Sequence, residues 1–174
     1  ENLLHAEQLV REASPIPESL NSFDVNFDGK NEYVAQFALY DAYMSKTGGT
    51  IYEFDVLPSE RNFADTISEN KKRGLFSDFL VSEKELENFA KGQKCNILCN
   101  LTEASYNELK YDRMKKNLKL ETQVQFEKKR SVKIVKEFHF TKDSIRVDYR
   151  LINTSKETLN AYFVIENNLC MQSN

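Results

Sequence analysis

The chain has 174 residues, 40% hydrophobic and 29% charged, with only 5 Gly and 3 Pro; this is the profile of one packed domain and excludes disorder, collagen-like and low-complexity architectures. Its 24 Lys and Arg stand against 27 Asp and Glu for a net charge of -3, so nothing draws it to phosphates and nucleic acid is not expected as a partner. No apolar run approaches the roughly 20 residues of a helical bilayer span, and no membrane partner is expected.

The chain opens on Glu1, and ENLLHAEQLVREA is charged and amphipathic, unlike a signal or transit peptide. With the polar end CMQSN it reads as a segment of a longer polypeptide, N-terminal processing with a natural stop being the alternative. Leu3, Leu4, Ala6, Leu9 and Val10 form a stripe at helical spacing over residues 2–13, and Pro15 and Pro17 then stop the helix. Residues 1–17 are therefore expected to be the end of an upstream helical segment with its linker, and residues 18–174 a β domain.

From Phe23 the signals are β. EYVAQFALYDAYM (32–44) carries apolar residues on both faces, as a buried strand or a bent pair of strands would. KTGGT (46–50) is a turn in which Gly48 and Gly49 are free to take positive φ, and TIYEFDVL (50–57) is the next strand. Ser82 and Glu85 are spaced as a capping box, Val81 and Leu86 as a hydrophobic staple, and Gly92 as a terminator, which predicts a helix over 83–91.

The last third alternates most clearly. Leu118, Leu120, Thr122, Val124 and Phe126 share a face over 118–126. Val132, Ile134, Phe138 and Phe140 do so over 132–140, and Ile145, Val147, Tyr149 and Leu151 over 145–151. A fourth run, Leu159–Ile165, is apolar on both faces. Period-two alternation with one wet face marks an antiparallel sheet lying on a core, and four such runs with short connectors read as a meander. The expected fold class is mostly β, an antiparallel β-sandwich with an N-terminal helix and one short internal helix.

Catalytic chemistry is hard to find. His5 and His139 are the only histidines and both read as solvated surface residues; no Ser lies in GxSxG and no Cys in CxxC. GxGxxG, GxxxxGK and zinc spacings are absent, so no catalytic residue, cofactor or metal is expected. Asp24, Asn26, Asp28 and Gly29 reproduce the first half of a calcium loop, but Ala35 holds the position of the bidentate Glu. The competing reading is a β-turn at Asp28-Gly29 with its acids in water.

Glu53 and Asp55 point the same way on one predicted strand about 7 Å apart, the arrangement of paired carboxylates or of an ordinary wet strand face. Glu166 ends an apolar run, where a carboxylate needs partners from structure, an interface or a sugar. Cys95 and Cys99 on one strand face lie about 13 Å apart, too far for a bridge. With Cys170 making the count odd, the three read as free thiols in a reducing, cytoplasmic setting.

Several segments in order resemble one known region. NLLHAEQLV, FDVNFDGKNEY, SKTGGTIYEFDV with Asn62 and Asp65 after it, RGLFSDFLV, and YFVIENNL with its Glu-x-Asn are similar to the helix end and C-terminal domain of glycoside hydrolase family 57 glucan enzymes. The chain departs where the family often runs Arg-Arg…Glu…Tyr-His, having ISENKKRGLF instead. The resemblance implies a galactose mutarotase-like supersandwich, truncated at its C-terminus, beside an upstream catalytic barrel that holds both catalytic carboxylates. It implies a non-catalytic accessory domain of a 4-α-glucanotransferase or α-amylase type enzyme, acting as scaffold and touching α-glucan. Glu53, Asp55 and Glu166 are then the substrate or interface candidates, and an unpaired sheet edge near Ile165 would favour self-association. Alternatives are a free-standing carbohydrate-binding module, stacking sugars on Tyr33, Tyr40, Tyr43, Tyr52, Tyr106 or Tyr111, a mutarotase-like sugar enzyme, or a generic interaction domain.

Overall fold

In the computed structural model, residues 2–64, 66–68, 71–126 and 129–170 are described. After helix α1 (Asn2–Ala13), strands β1 (Ser19–Phe23), β2 (Glu32–Gln36), β3 (Tyr40–Ser45), β4 (Thr50–Val56) and β5 (Arg61–Asn62) form one antiparallel sheet in sequential order. The segment 32–44 is thus a pair of strands, turned at 37–39, and β2 is buried along most of its length. A short 3-10 turn, Leu57–Ser59, links β4 to β5, and β6 (Thr66–Ser68) pairs with β7 (Lys71–Arg73).

The second sheet runs β10 (Asn107–Asp112), β11 (Asn117–Phe126), β12 (Arg130–Phe140) and β13 (Ile145–Asn153), in that order and all antiparallel. Its register sets Leu118 opposite Phe138 and Phe138 opposite Val147, so the inward faces of three strands make one apolar surface. The outward face is a ladder of charges: Lys119 to Glu137 at 2.6 Å, Lys133 to Glu121 at 3.1 Å, and His139 Nε2 to Asp148 at 3.0 Å. Those pairs explain why alternation was so legible there: polar side chains meet on the wet side, Lys119 directly across from Glu137 and the other two pairs on the diagonal.

The fourth run does not extend this meander. It forms β14 (Tyr162–Glu166), which crosses to pair with β8 (Ser77–Val81); with β9 (Ile97–Asn100) these make a third sheet of order β14-β8-β9. The polar connector 154–161 is long enough to leave the sheet, and β8 is buried at every position, so it requires a partner on each edge. β14 is an edge strand and shows Tyr162 and Ile165 to solvent instead of burying both faces.

One apolar core joins the three sheets. Leu20, Tyr33, Met44 and Ile51 come from the first, Leu118, Ile134 and Phe138 from the second, and Leu80 from the third. Helix α2 (Glu83–Ala90) stands where a helix was expected, and Gly92 at φ 65 donates to Phe89 O as the chain leaves it. The capping box does not form: Ser82 makes no side-chain cap bond, and the Glu85 carboxylate instead accepts from Asn88 and Asn96.

The stripe of α1 differs more. Leu3 is 85% exposed, and Leu9 and Val10 also face solvent. Polar contacts hold the helix to the sheet, chiefly through Arg11, with His5 Nδ1 2.6 Å from Glu60. Among the described residues no helix is long and apolar enough to cross a membrane.

Candidate functional site

A polar groove crosses the surface where the first sheet meets β8, β9 and the loop after β9. Its floor is the start of β4, Thr50 and Tyr52. One arm, about 690 Å³, runs toward the loop 24–32, and the other, about 460 Å³, runs toward β9 and the end of β14. Thr50, Tyr52 and Thr102 line both arms.

Two backbone features shape this floor. The KTGGT turn places Gly48 and Gly49 at φ 71 and 55, and a Cβ on Gly48 would lie 2.6 Å from Thr102 O. Gly74 lies so close under β4 that a Cβ there would fall 2.3 Å from Ile51 O, where Ile51 and Leu75 exchange backbone hydrogen bonds. Only glycine permits either approach.

Several residues singled out in the sequence converge here. Glu166, opposite Ser77 in the β14–β8 pair, lines one end; Asn26 and Asp28 line the other. The oxygens of Asp24, Asn26 and Asp28 accept the loop's own amides, from Asp28, Gly29 and Lys30. Among the described residues no group of three or more His, Cys, Asp or Glu side chains is placed to hold a metal ion.

That closed loop carries Phe27 at φ 60 with its side chain 91% exposed. A bulky residue at positive φ is a strained arrangement that the surrounding bonds must enforce. Of the tyrosines, Tyr33, Tyr40 and Tyr106 are buried, and Tyr111 donates its hydroxyl to Leu20 O. Tyr52 alone of the six lines the groove; its ring is 6.4 Å from that of Tyr43, and burial together with Glu32, Glu53 and Asp28 raises its hydroxyl to about 12.

Glu53 and Asp55 are not in the groove lining. Their side chains do meet, but Asp55 is buried and lies across from Asp41 of β3. Burial first, then Glu53 and Asp41, raises the Asp55 carboxyl to about 7, while burial opposed by Arg11 raises Asp41 to about 6. Arg11 reaches down from α1 to bond Asp41 at 2.5 Å, Phe37 O at 2.9 Å and Glu7. Asp65 lies outside the described residues. Cys95, Cys99 and Cys170 are all free.

The most deeply buried ionisable pair was not singled out in the sequence. Lys136 Nζ sits 2.7 Å from Asp78 Oδ2, both side chains 0% exposed. The amine also donates to the carbonyls of Gly48, Gly49 and Phe76, and Tyr149 donates to Asp78 Oδ1. Burial drives Lys136 down and Asp78 up, and their attraction opposes both; three carbonyl acceptors around one nitrogen favour the ammonium. This pair ties the turn after β3, the start of β8 and the centre of β12 together. The signal was present: Lys136 occupies an inward position between Ile134 and Phe138, where alternation demands an apolar residue.

Residues 24–71 match the family model described as alpha-amylase/4-alpha-glucanotransferase, C-terminal. No curated protein sequence matches the chain. In fold the chain is similar to the crystal structure of 4-alpha-glucanotransferase from Thermococcus litoralis, with a TM-score of 0.75 at 20% identity, over 97% of this chain and 28% of that one. The matched stretch contains the loop 24–32, the KTGGT turn and β4, the segments that build one arm of the groove and its floor. Residues 24–71 are thus similar to the C-terminal domain of α-amylase/4-α-glucanotransferase enzymes, and the chain shares its fold with part of one such enzyme.

Proposed function

We propose that this chain is the non-catalytic accessory domain of an α-glucan-processing enzyme of glycoside hydrolase family 57, a scaffold beside an upstream catalytic barrel that also contacts glucan. The observation that carries this reading is the separation of tuned ionisable groups from accessible surface. The raised carboxyls Asp41, Asp55 and Asp78 are all buried, and none lines the groove. A general acid must reach its substrate to act, whereas these groups are spent on joining strands.

The three free thiols favour a cytoplasmic setting. Edge strand β14, with Tyr162 and Ile165 exposed, offers a second copy a place to pair.

Incubation of the chain with maltoheptaose tests the catalytic half of the reading: the sugar is expected to survive unchanged. Appearance of shorter or longer oligosaccharides would overturn it. Joined behind its catalytic part, the domain is expected to raise that part's thermal stability; an unchanged melting temperature would remove the scaffold role. Sedimentation velocity across a concentration range tests self-association.

A further inference from the structure

We propose that α1 is a pH-operated latch, docked on the first sheet while the carboxyls beneath it hold protons and released when they all ionise. Its attachment is polar. Among the described residues no side chain of α1 joins the apolar core, and Arg11 is the helix's one buried residue. Arg11 reaches the sheet through Asp41 and Phe37 O, and His5 Nδ1 lies 2.6 Å from Glu60 at the end of the 3-10 turn.

The sheet face that Arg11 enters is crowded with acid. Strand register sets Asp41 of β3 opposite Asp55 of β4, and Tyr43 opposite Glu53, all four on one face. The flanking strands add Gln36 opposite Asp41 and Asn62 opposite Asp55, both neutral. From above, α1 adds Glu7, which bonds Arg11. Glu7, Asp41, Glu53 and Asp55 thus gather around a single guanidinium, and among the described residues no second cation acts on Asp41 or Asp55. Asp41 Oδ2 accepts from Arg11, but Oδ1 is buried with no hydrogen-bond partner, a costly state for an ionised carboxylate.

Like charges crowded in a buried place do not all ionise together. Burial, opposed by Arg11, raises Asp41 to about 6, and burial with Glu53, Asp41 and Glu7 raises Asp55 to about 7. Tyr43 stays a neutral hydroxyl between them, pushed up to about 12 by burial and then by the same carboxylates. Lifting α1 returns Asp41 to water and takes Glu7 away. Burial already outweighs Arg11 at Asp41, so the docked state binds protons more tightly than the released one. Docking is therefore favoured in acid and weakened as pH rises through about 6 and about 7. A protonated His5 beside Glu60 would act in the same direction.

The experiment is amide hydrogen exchange of the isotope-labelled chain between about pH 5.5 and about pH 8.5, each rate divided by the intrinsic rate at that pH. Protection of residues 6–13 is expected to fall by about tenfold or more across that range, tenfold for each pKa unit by which docking tightens proton binding. Strands β11 and β12 are expected to keep theirs. Asp55→Asn is expected to hold α1 protected at the alkaline end, as is Asp41→Asn, which keeps an acceptor for Arg11. His5→Gln is expected to leave the fall in place.

A flat profile in the wild-type chain would overturn the latch. So would a fall shared by β11 and β12, which is unfolding of the whole domain. A fall that survives both Asp→Asn changes and vanishes in His5→Gln would assign the effect to the Glu60 contact and overturn the carboxyl account. The wild-type profile decides the matter even if a variant fails to fold, and the latch does not depend on the accessory-domain reading.

Discussion

Lys136→Met removes a buried ammonium while keeping an unbranched side chain of similar reach. In the native chain Nζ lies 2.7 Å from Asp78 Oδ2 and donates to Gly48, Gly49 and Phe76 carbonyls at 2.8, 2.9 and 2.9 Å. Breaking such a pair from one side leaves Asp78 buried without its counter-charge, a loss of about 3–5 kcal/mol. The three carbonyls also lose a donor, at roughly 1 kcal/mol each, an amount that overlaps in part with the first figure. A total near ~5 kcal/mol is a large share of the ~5–15 kcal/mol that holds an ordinary domain. It corresponds to a fall in Tm of about 10–20 °C for a chain of this size.

Asp78→Leu alone strands the ammonium and is expected to be comparably harmful. The Lys136→Met/Asp78→Leu double variant removes both charges and is expected to recover about 2 kcal/mol or more relative to either single change, because an apolar pair of similar volume can replace a buried ion pair. Urea unfolding of the four chains, with the m-value checked for constancy, measures this directly. If Lys136→Met costs less than about 1 kcal/mol, or the two losses simply add, the pair is not the junction of the sheets and the reasoning fails.

Further outcomes follow from the acidic junction and the glycines. The Asp55 carboxyl is raised from 3.8 to about 7, so the folded state holds its proton more tightly than the unfolded chain does. Its contribution is therefore present at low pH and lost as pH rises from about 4 through about 7. Asp55→Asn is expected to flatten that part of the stability–pH curve and to stabilise the chain by about 1–3 kcal/mol at pH 8; a curve parallel to wild type would sink the argument.

Arg11→Met is expected to release α1, since Arg11 is the cation bonded to Asp41 and also reaches Phe37 O. Hydrogen exchange should then speed up across residues 5–13 while β11 and β12 keep their protection; unchanged exchange would mean that the exposed stripe holds the helix after all. Gly74→Ala would drive a Cβ to 2.3 Å from Ile51 O and is expected to cost about 2–4 kcal/mol, read from the same urea titration. A neutral result would show that the approach of residue 74 to β4 can relax.

Much of this molecule was legible from local pattern. Alternation alone located β11, β12 and β13, because β11 and β12 bury one face, β13 half-buries one, and the other face is polar. Gly48-Gly49, Gly92 and the prolines after α1 marked real boundaries, since backbone geometry at those points depends on the residue itself.

What failed or was missed depended on partners distant in sequence. The capping box between Ser82 and Glu85 lost to Asn88 and Asn96, and β14 left the meander for β8, whose buried edges needed a neighbour. Glu53 and Asp55 were correctly placed on one face, but only the approach of β3 and α1 showed that Asp55 is buried against Asp41 and Arg11. Glu166, Asp28 and Tyr52 are far apart in the chain, and the crossing of sheets alone puts them on one groove. Period and turn chemistry are properties of neighbouring residues and can be read from the sequence. Which charged groups face one another inside, and which line an open surface, is decided by the packing of whole sheets.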